Sequence, residues 1–196
     1  MPRLVRKSVA CFGSGMGSDG DAMYEKMYTV GRLLARHGVR VITGAYEGSG
    51  MEAPVRGAQA AIAKGTTLGY ALRCRPKKPN KYLDEILWAQ EVLVKGYSSM
   101  PEIEYGARLG LLGSADGFVV DPSDVTLGTL TEFFFVASIN VKDIKLERAP
   151  KPMVVLVGDR LYPFLETVAS SILRYPFIAL KRTPEQAVKW LIERLV

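Results

Sequence analysis

The sequence predicts an α/β fold: a Rossmann-like, doubly wound parallel sheet with helices on both faces. Three observations lead there. Short apolar runs alternate along the chain with segments of helical period. The runs are continuous rather than polar on every second residue, the pattern of strands covered on both faces. Glycine-rich stretches follow the first two runs, and Gly128-Thr129 follows a later one, as expected of loops at the carboxyl edge of such a sheet.

The elements follow in order. Ser8 to Phe12 reads as the first strand, punctuated by Gly13-Ser14-Gly15-Met16-Gly17-Ser18-Asp19-Gly20. Met23, Met27, Val30, Leu33 and Leu34 recur at helical spacing up to His37-Gly38, a helix stop. Arg40 to Thr43 is a strand leading into Gly44-Ala45-Tyr46-Glu47-Gly48-Ser49-Gly50, and Met51 to Lys64 is a helix of small residues. Thr66 to Leu72 is a third strand, followed by the basic loop Arg73-Cys74-Arg75-Pro76-Lys77-Lys78. Tyr82 to Val94 fits neither period clearly. Glu102 to Leu112 is a helix, Gly117 to Val120 a strand, and Leu130 to Ile139 a helix. A charged turn from Lys142 to Pro152 precedes the strand Met153 to Val157, the helix Phe164 to Leu173, the short strand Phe177 to Leu180 and a last helix, Pro184 to Leu195.

With 196 residues, 48% of them hydrophobic and 23% charged, the chain can bury a sizeable core, and residues 1–196 read as one domain. No apolar stretch approaches the roughly 18 residues that a membrane span needs, and Met1 to Lys7 lacks an apolar core after its charges. The chain reads as soluble and cytoplasmic, with no membrane partner. Two cysteines, Cys11 and Cys74, make neither a disulfide framework nor a zinc pattern, and the sole histidine, His37, argues against His-based triads; no metal is expected. The net charge of +6 is scattered apart from the basic loop, which suits a small anion as well as it suits nucleic acid. The expected partner is a small-molecule nucleotide rather than a nucleic-acid polymer.

The segment Gly128-Thr129-Leu130-Thr131-Glu132 carries the chemistry. A helix starting beyond a buried strand presents backbone N–H groups and a positive dipole where a phosphate can be held. Glu132 falls about one turn further on, within reach of whatever the phosphate anchors. Gly15 to Gly20 satisfies G-x-G-x-x-G, but it starts too far past its strand, and the second strand ends in Thr43-Gly44 rather than an acid. Dinucleotide binding is therefore a poor match. Glu52 and Arg56 read as an ordinary helix pair, Met16, Met23, Met27 and Met51 as core or pocket lining, and Tyr46 and Tyr97 as residues that could stack on a base.

Phe12-Gly13-Ser14, Gly31 to Gly38, Thr43-Gly44 with Gly50-Met51-Glu52-Ala53, Ser114-Ala115-Asp116-Gly117 and Gly128 to Glu132 occur in the order and spacing of the LOG family. The chain resembles that family from about Lys7 to Asn140, and more weakly in its last helix. Members are Rossmann-like nucleotide-binding proteins, many long mislabelled as lysine decarboxylases. No lysine here sits in a recognisable pyridoxal-phosphate context. The resemblance implies a phosphoribohydrolase that cuts the N-glycosidic bond of a nucleoside 5′-monophosphate, without cofactor and as a homodimer. It assigns Glu132 and Arg108 to catalysis, and Gly13, Ser14, Gly44, Gly50, Met51, Glu52, Gly128 and Thr129 to the substrate and its phosphate. The alternative is a non-catalytic nucleotide-binding or carrier protein.

The alternative has support in the sequence. Family enzymes carry Pro-Gly-Gly-x-Gly-Thr-x-x-Glu, whereas this chain has Asp121-Pro122-Ser123-Asp124-Val125-Thr126-Leu127 before Gly128-Thr129, with the paired glycines gone. Upstream of the Ala-Asp motif the family has an Arg-Lys pair, and here only Arg108 is basic. If the site is intact, Glu132 would stabilise the oxocarbenium-like transition state and orient water, while Arg108 holds the phosphate.

Overall fold

A computed structural model describes residues 6–61, 66–89, 91, 101–124, 126–157 and 162–195. Seven strands form one parallel sheet: β1 (Ser8–Phe12), β2 (Arg40–Thr43), β3 (Thr67–Ala71), β4 (Glu85–Trp88), β5 (Gly117–Val120), β6 (Met153–Leu156) and β7 (Ile178–Lys181). Their spatial order is β4-β3-β2-β1-β5-β6-β7. The sheet is thus wound outward in both directions from β1, and its order reverses between β1 and β5, where Phe12 lies opposite Val120.

The described helices are α1 (Ala22–Arg36), α2 (Glu52–Ala61), α3 (Pro101–Gly113), α4 (Leu127–Lys145), α5 (Tyr162–Leu173) and α6 (Pro184–Ile192). Both sheet faces are apolar because successive strand residues point to opposite sides. Val9 and Cys11 of β1 pack with Met27, Val30 and Leu34 of α1, Val55 of α2 and Leu191 of α6. Ala10 and Phe12 pack with Leu112 of α3 and Phe133 and Val136 of α4. Burial pushes the Cys11 thiol up to about 12, so it stays protonated and inert. Gly31 lets α1 lie directly on α2, since a Cβ there would fall 1.8 Å from the Pro54 carbonyl oxygen.

The His37-Gly38 stop ends α1 as expected: Gly38 has φ +73°, its N–H donates to Ala35 O at 2.9 Å, and the Val39 N–H donates to Leu34 O at 3.1 Å. Other boundaries differ from the sequence expectation. Tyr82 to Val94, ambiguous by period, contains edge strand β4, paired in parallel with β3. The helix expected from Leu130 to Ile139 runs from Leu127 to Lys145, so part of the expected 142–152 turn is helical and Gly128 and Thr129 sit inside the first turn. The helix expected to run to Leu195 ends at Ile192, and the helix expected from Met51 to Lys64 begins at Glu52 and is described as far as Ala61. Glu52 and Arg56 do not simply pair along α2. The Tyr24 hydroxyl donates to Glu52 at 2.8 Å and accepts from Arg56 at 3.4 Å, and Arg56 forms its ion pair with Asp19 at 2.9 Å. Met1, Lys64, Val94 and Tyr97 lie outside the described residues. Among the described residues no helix is long and apolar enough to cross a membrane.

Candidate functional site

The sheet order reverses between β1 and β5, and the loops after these two strands separate there into a crevice. A cleft of about 300 Å³ opens at this edge, lined by Gly13, Gly15, Met16, Met51, Arg75, Arg108, Thr126, Gly128, Thr129 and Glu132. That volume lies at the small end of ligand pockets, roughly 300–1,000 Å³.

Helix α4 begins at one side of the cleft. Thr126 caps it: its hydroxyl accepts from the Thr129 N–H at 3.3 Å, and its carbonyl accepts from the Leu130 N–H at 3.1 Å. The cap leaves the first-turn amides of Leu127 and Gly128 without helical acceptors, at the positive end of the dipole. Thr126→Ala is expected to destabilise the protein by about 1 kcal/mol, seen as a melting temperature lower by about 2–4 °C.

Arg108 comes from α3 and is 7% exposed. One Nη donates to the Gly44 carbonyl at 3.4 Å, the other lies 3.5 Å from Glu132 Oε1, and Nε is buried without a partner. Both contacts are long for a charge-assisted bond. The guanidinium is thus held at the cleft with bonding capacity unused.

Glu132 projects from the second turn of α4 and is 12% exposed in its side chain. Burial raises its pKa to about 7, against an opposing pull from Arg108. The unfolded chain releases this proton in the ordinary carboxylate range, so between that range and pH 7 the folded state binds more protons. Stability from the neutral carboxyl is full below that range and is lost as pH rises through about 7. Glu132→Gln should flatten this decline in a series of urea titrations from pH 4.5 to 8.

The two acids that the sequence sets near the phosphate position have other partners. Asp121 is 2% exposed; its Oδ1 accepts from the Ser123 N–H at 3.1 Å and from the Ser123 hydroxyl, and lies 3.6 Å from Lys26 Nζ. Asp124 accepts from the Ser14 hydroxyl at 2.7 Å, and that same hydroxyl accepts from the Met16 N–H at 2.9 Å.

The structure brings Gly13, Met51, Arg108, Gly128, Thr129 and Glu132 to one cleft. Ser14 is buried behind it, with its hydroxyl engaged. Gly44 underlies Arg108. Gly50 serves loop packing: its N–H donates to Ser14 O at 2.9 Å, and a Cβ on it would fall 2.3 Å from Gly13 backbone atoms. Glu52 faces Tyr24 at the start of α2. Sequence reasoning did not single out Gly15, Thr126 or Arg75 as site residues. The basic loop after β3 was a signal for Arg75, because it leaves the same carboxyl edge.

Comparison with known proteins bears on the fold. The profile of the SLOG cluster4 family matches residues 6–98. No curated protein matches the chain. Among solved structures, the molybdenum cofactor binding protein from the phototrophic bacterium Rippkaea orientalis is 19% identical over 99% of this chain and 100% of that chain, with a TM-score of 0.69. The molybdenum cofactor carrier protein MCP from Chlamydomonas reinhardtii is 19% identical over 97% of this chain and 98% of that one, with a TM-score of 0.62. DNA processing protein A from Helicobacter pylori, described with a single-stranded DNA binding mode, is 16% identical over 96% of this chain and 81% of that one, with a TM-score of 0.61. The chain therefore has a Rossmann-like α/β fold, and over residues 6–98 it is similar to the SLOG cluster4 family.

Proposed function

We propose that the protein binds a phosphorylated small molecule of the nucleotide class in this cleft and acts as a cytoplasmic binding or carrier protein. One observation carries the reading. A buried arginine with unused donors faces the same cleft as the open amides at the start of α4, which is an arrangement for a phosphate. The names of two similar structures, both molybdenum cofactor binders or carriers, agree with a carried ligand, and that cofactor belongs in the test set.

A second reading, the LOG-type phosphoribohydrolase, is favoured by Glu132 in the same cleft. Catalysis would need its carboxylate charged to stabilise a ribosyl cation. With its pKa near 7, about half of the molecules hold it neutral at neutral pH. The loop before α4 also lacks the paired glycines that would bring backbone close to a phosphate. Half ionisation lowers a rate by only about twofold, so it is the altered loop that tilts the balance toward binding without turnover.

The test is a panel of nucleoside monophosphates, molybdenum cofactor and a short single-stranded oligonucleotide, with melting temperature and free-base release measured for each. Binding of a small phosphorylated ligand with no base released supports the carrier reading. Steady release of base establishes the hydrolase, and stabilisation by the oligonucleotide alone rejects both.

A homodimer is part of the same proposal. Helices α2 and α3 are rich in small residues, and Tyr105, Gly106 and Gly110 of α3 are exposed next to Arg108. Sedimentation at micromolar concentration should show a dimer, and a monomer would reject this part.

A further inference from the structure

Arg75 leaves the loop between β3 and β4, is half-buried and lines the cleft. Its Cζ lies 4.6 Å from the centroid of the Tyr46 ring. That ring is fixed. Tyr46 is 1% exposed, and its hydroxyl donates to Leu72 O at 3.1 Å and accepts from the Leu72 N–H at 2.9 Å. The backbone that presents it is held as well. Ala45 has φ +73°, a conformation that side chains with a Cβ disfavour, and such strain persists only where neighbours impose it. Asn80 does so: its N–H donates to Ala45 O at 2.8 Å, and its side-chain amide donates to Ala45 O at 3.2 Å and Tyr46 O at 3.0 Å.

The neighbouring Arg73 is committed elsewhere, over the Trp88 ring at 4.2 Å and to Glu91 at 2.5 Å. Among the described residues Arg75 has no carboxylate partner. With Tyr46 covering one side of its guanidinium, Arg75 offers the cleft a flat cationic surface. Arg108 and the start of α4 already account for one phosphate, so Arg75 answers to another part of the ligand.

We propose that Arg75 is a specificity-determining residue: its guanidinium, backed by Tyr46, stacks on a flat heteroaromatic ring of the ligand while Arg108 and the α4 N-terminus hold the phosphate. A planar cation on a π-face suits a purine or a similar fused heterocycle. The inference rests on the nucleotide-class reading above and narrows it to ligands with such a ring.

The test crosses two ligands with three proteins. Adenosine 5′-monophosphate and ribose 5-phosphate, which lacks the ring, are titrated by calorimetry into the wild-type chain, Arg75→Ala and Arg75→Lys. Arg75→Ala should weaken the nucleotide about tenfold and leave ribose 5-phosphate within about twofold, the scale of one lost stacking contact. Arg75→Lys should behave like Arg75→Ala, because it keeps the charge and loses the plane. Equal losses for both ligands, rescue by lysine, or no loss at all would overturn the stacking role. If the wild-type chain binds ribose 5-phosphate as tightly as the nucleotide, stacking fails while phosphate binding stands. If it binds neither, the nucleotide reading fails and this inference falls with it.

Discussion

Arg108→Ala should weaken binding of a nucleoside monophosphate at least about a hundredfold, roughly 2.7 kcal/mol, because it removes a buried fork of charge-assisted donors. The same substitution withdraws a cation that holds the Glu132 pKa down, so the carboxyl should become more fully protonated. Arg108→Lys keeps a charge but cannot reach the Gly44 carbonyl and a phosphate with a planar fork, and should recover only part of the loss, leaving a deficit of about tenfold. Calorimetric titration of the three proteins with one monophosphate checks this. A loss of binding accompanied by a lower melting temperature in the absence of ligand would instead mark Arg108 as structural.

Gly50→Ala should destabilise the fold by about 3 kcal/mol, the upper range for overpacking a close contact. The loops after β1 and β2 are joined by backbone bonds from the Gly50 N–H to Ser14 O and from the Ser49 N–H to Met16 O, both 2.9 Å. At this crossing the Gly50 Cα faces Gly13, and the nearest Gly13 backbone atom would be 2.3 Å from a Cβ. Neither loop can retreat without breaking those bonds, and Gly13 and Met16 line the cleft. Urea unfolding should show a lower midpoint with an unchanged slope, and ligand binding should fall as well. A neutral substitution would mean that the two loops yield, and that the cleft walls are softer than their bonding suggests.

Much of the fold is legible in the sequence because the central strands are buried on both faces. Ser8 to Phe12, Arg40 to Thr43 and Gly117 to Val120 form strands with the bounds that their apolar runs give. Edge strand β4 is harder to read: Glu85 and Ile86 are exposed and Leu87 and Trp88 half-buried, so neither a buried run nor a strict alternation marks it. The start of α4 misleads for a chemical reason. Thr129-Leu130-Thr131-Glu132 has the form of a capping box, which would begin a helix at Leu130. Thr126 takes the cap instead, and Glu132 turns toward Arg108. Leu127, apolar but 81% exposed, lies in the first turn where a core residue would be expected.

The candidate site divides the same way. Arg108 and Glu132 stand in recognisable local patterns and could be picked out one by one. Arg75 stands in a basic loop that the sequence does mark, but its place beside the cleft could not be read, because it depends on Tyr46, and Tyr46 in turn on Leu72 and Asn80, contacts between loops that no local period records. The commitment of Ser14 to Asp124, 110 positions away, is equally invisible to the sequence. It holds one of the two acids before α4 out of the cleft lining.

The central claim is that a phosphate is held between Arg108 and the start of α4. A crystal structure of the protein with bound adenosine 5′-monophosphate tests it most directly. The account predicts phosphate oxygens at about 2.7–3.1 Å from the guanidinium of Arg108 and from the Gly128 N–H, with the N-glycosidic bond intact. A phosphate bound away from both groups, or a cleft that stays empty at saturating nucleotide, would contradict it.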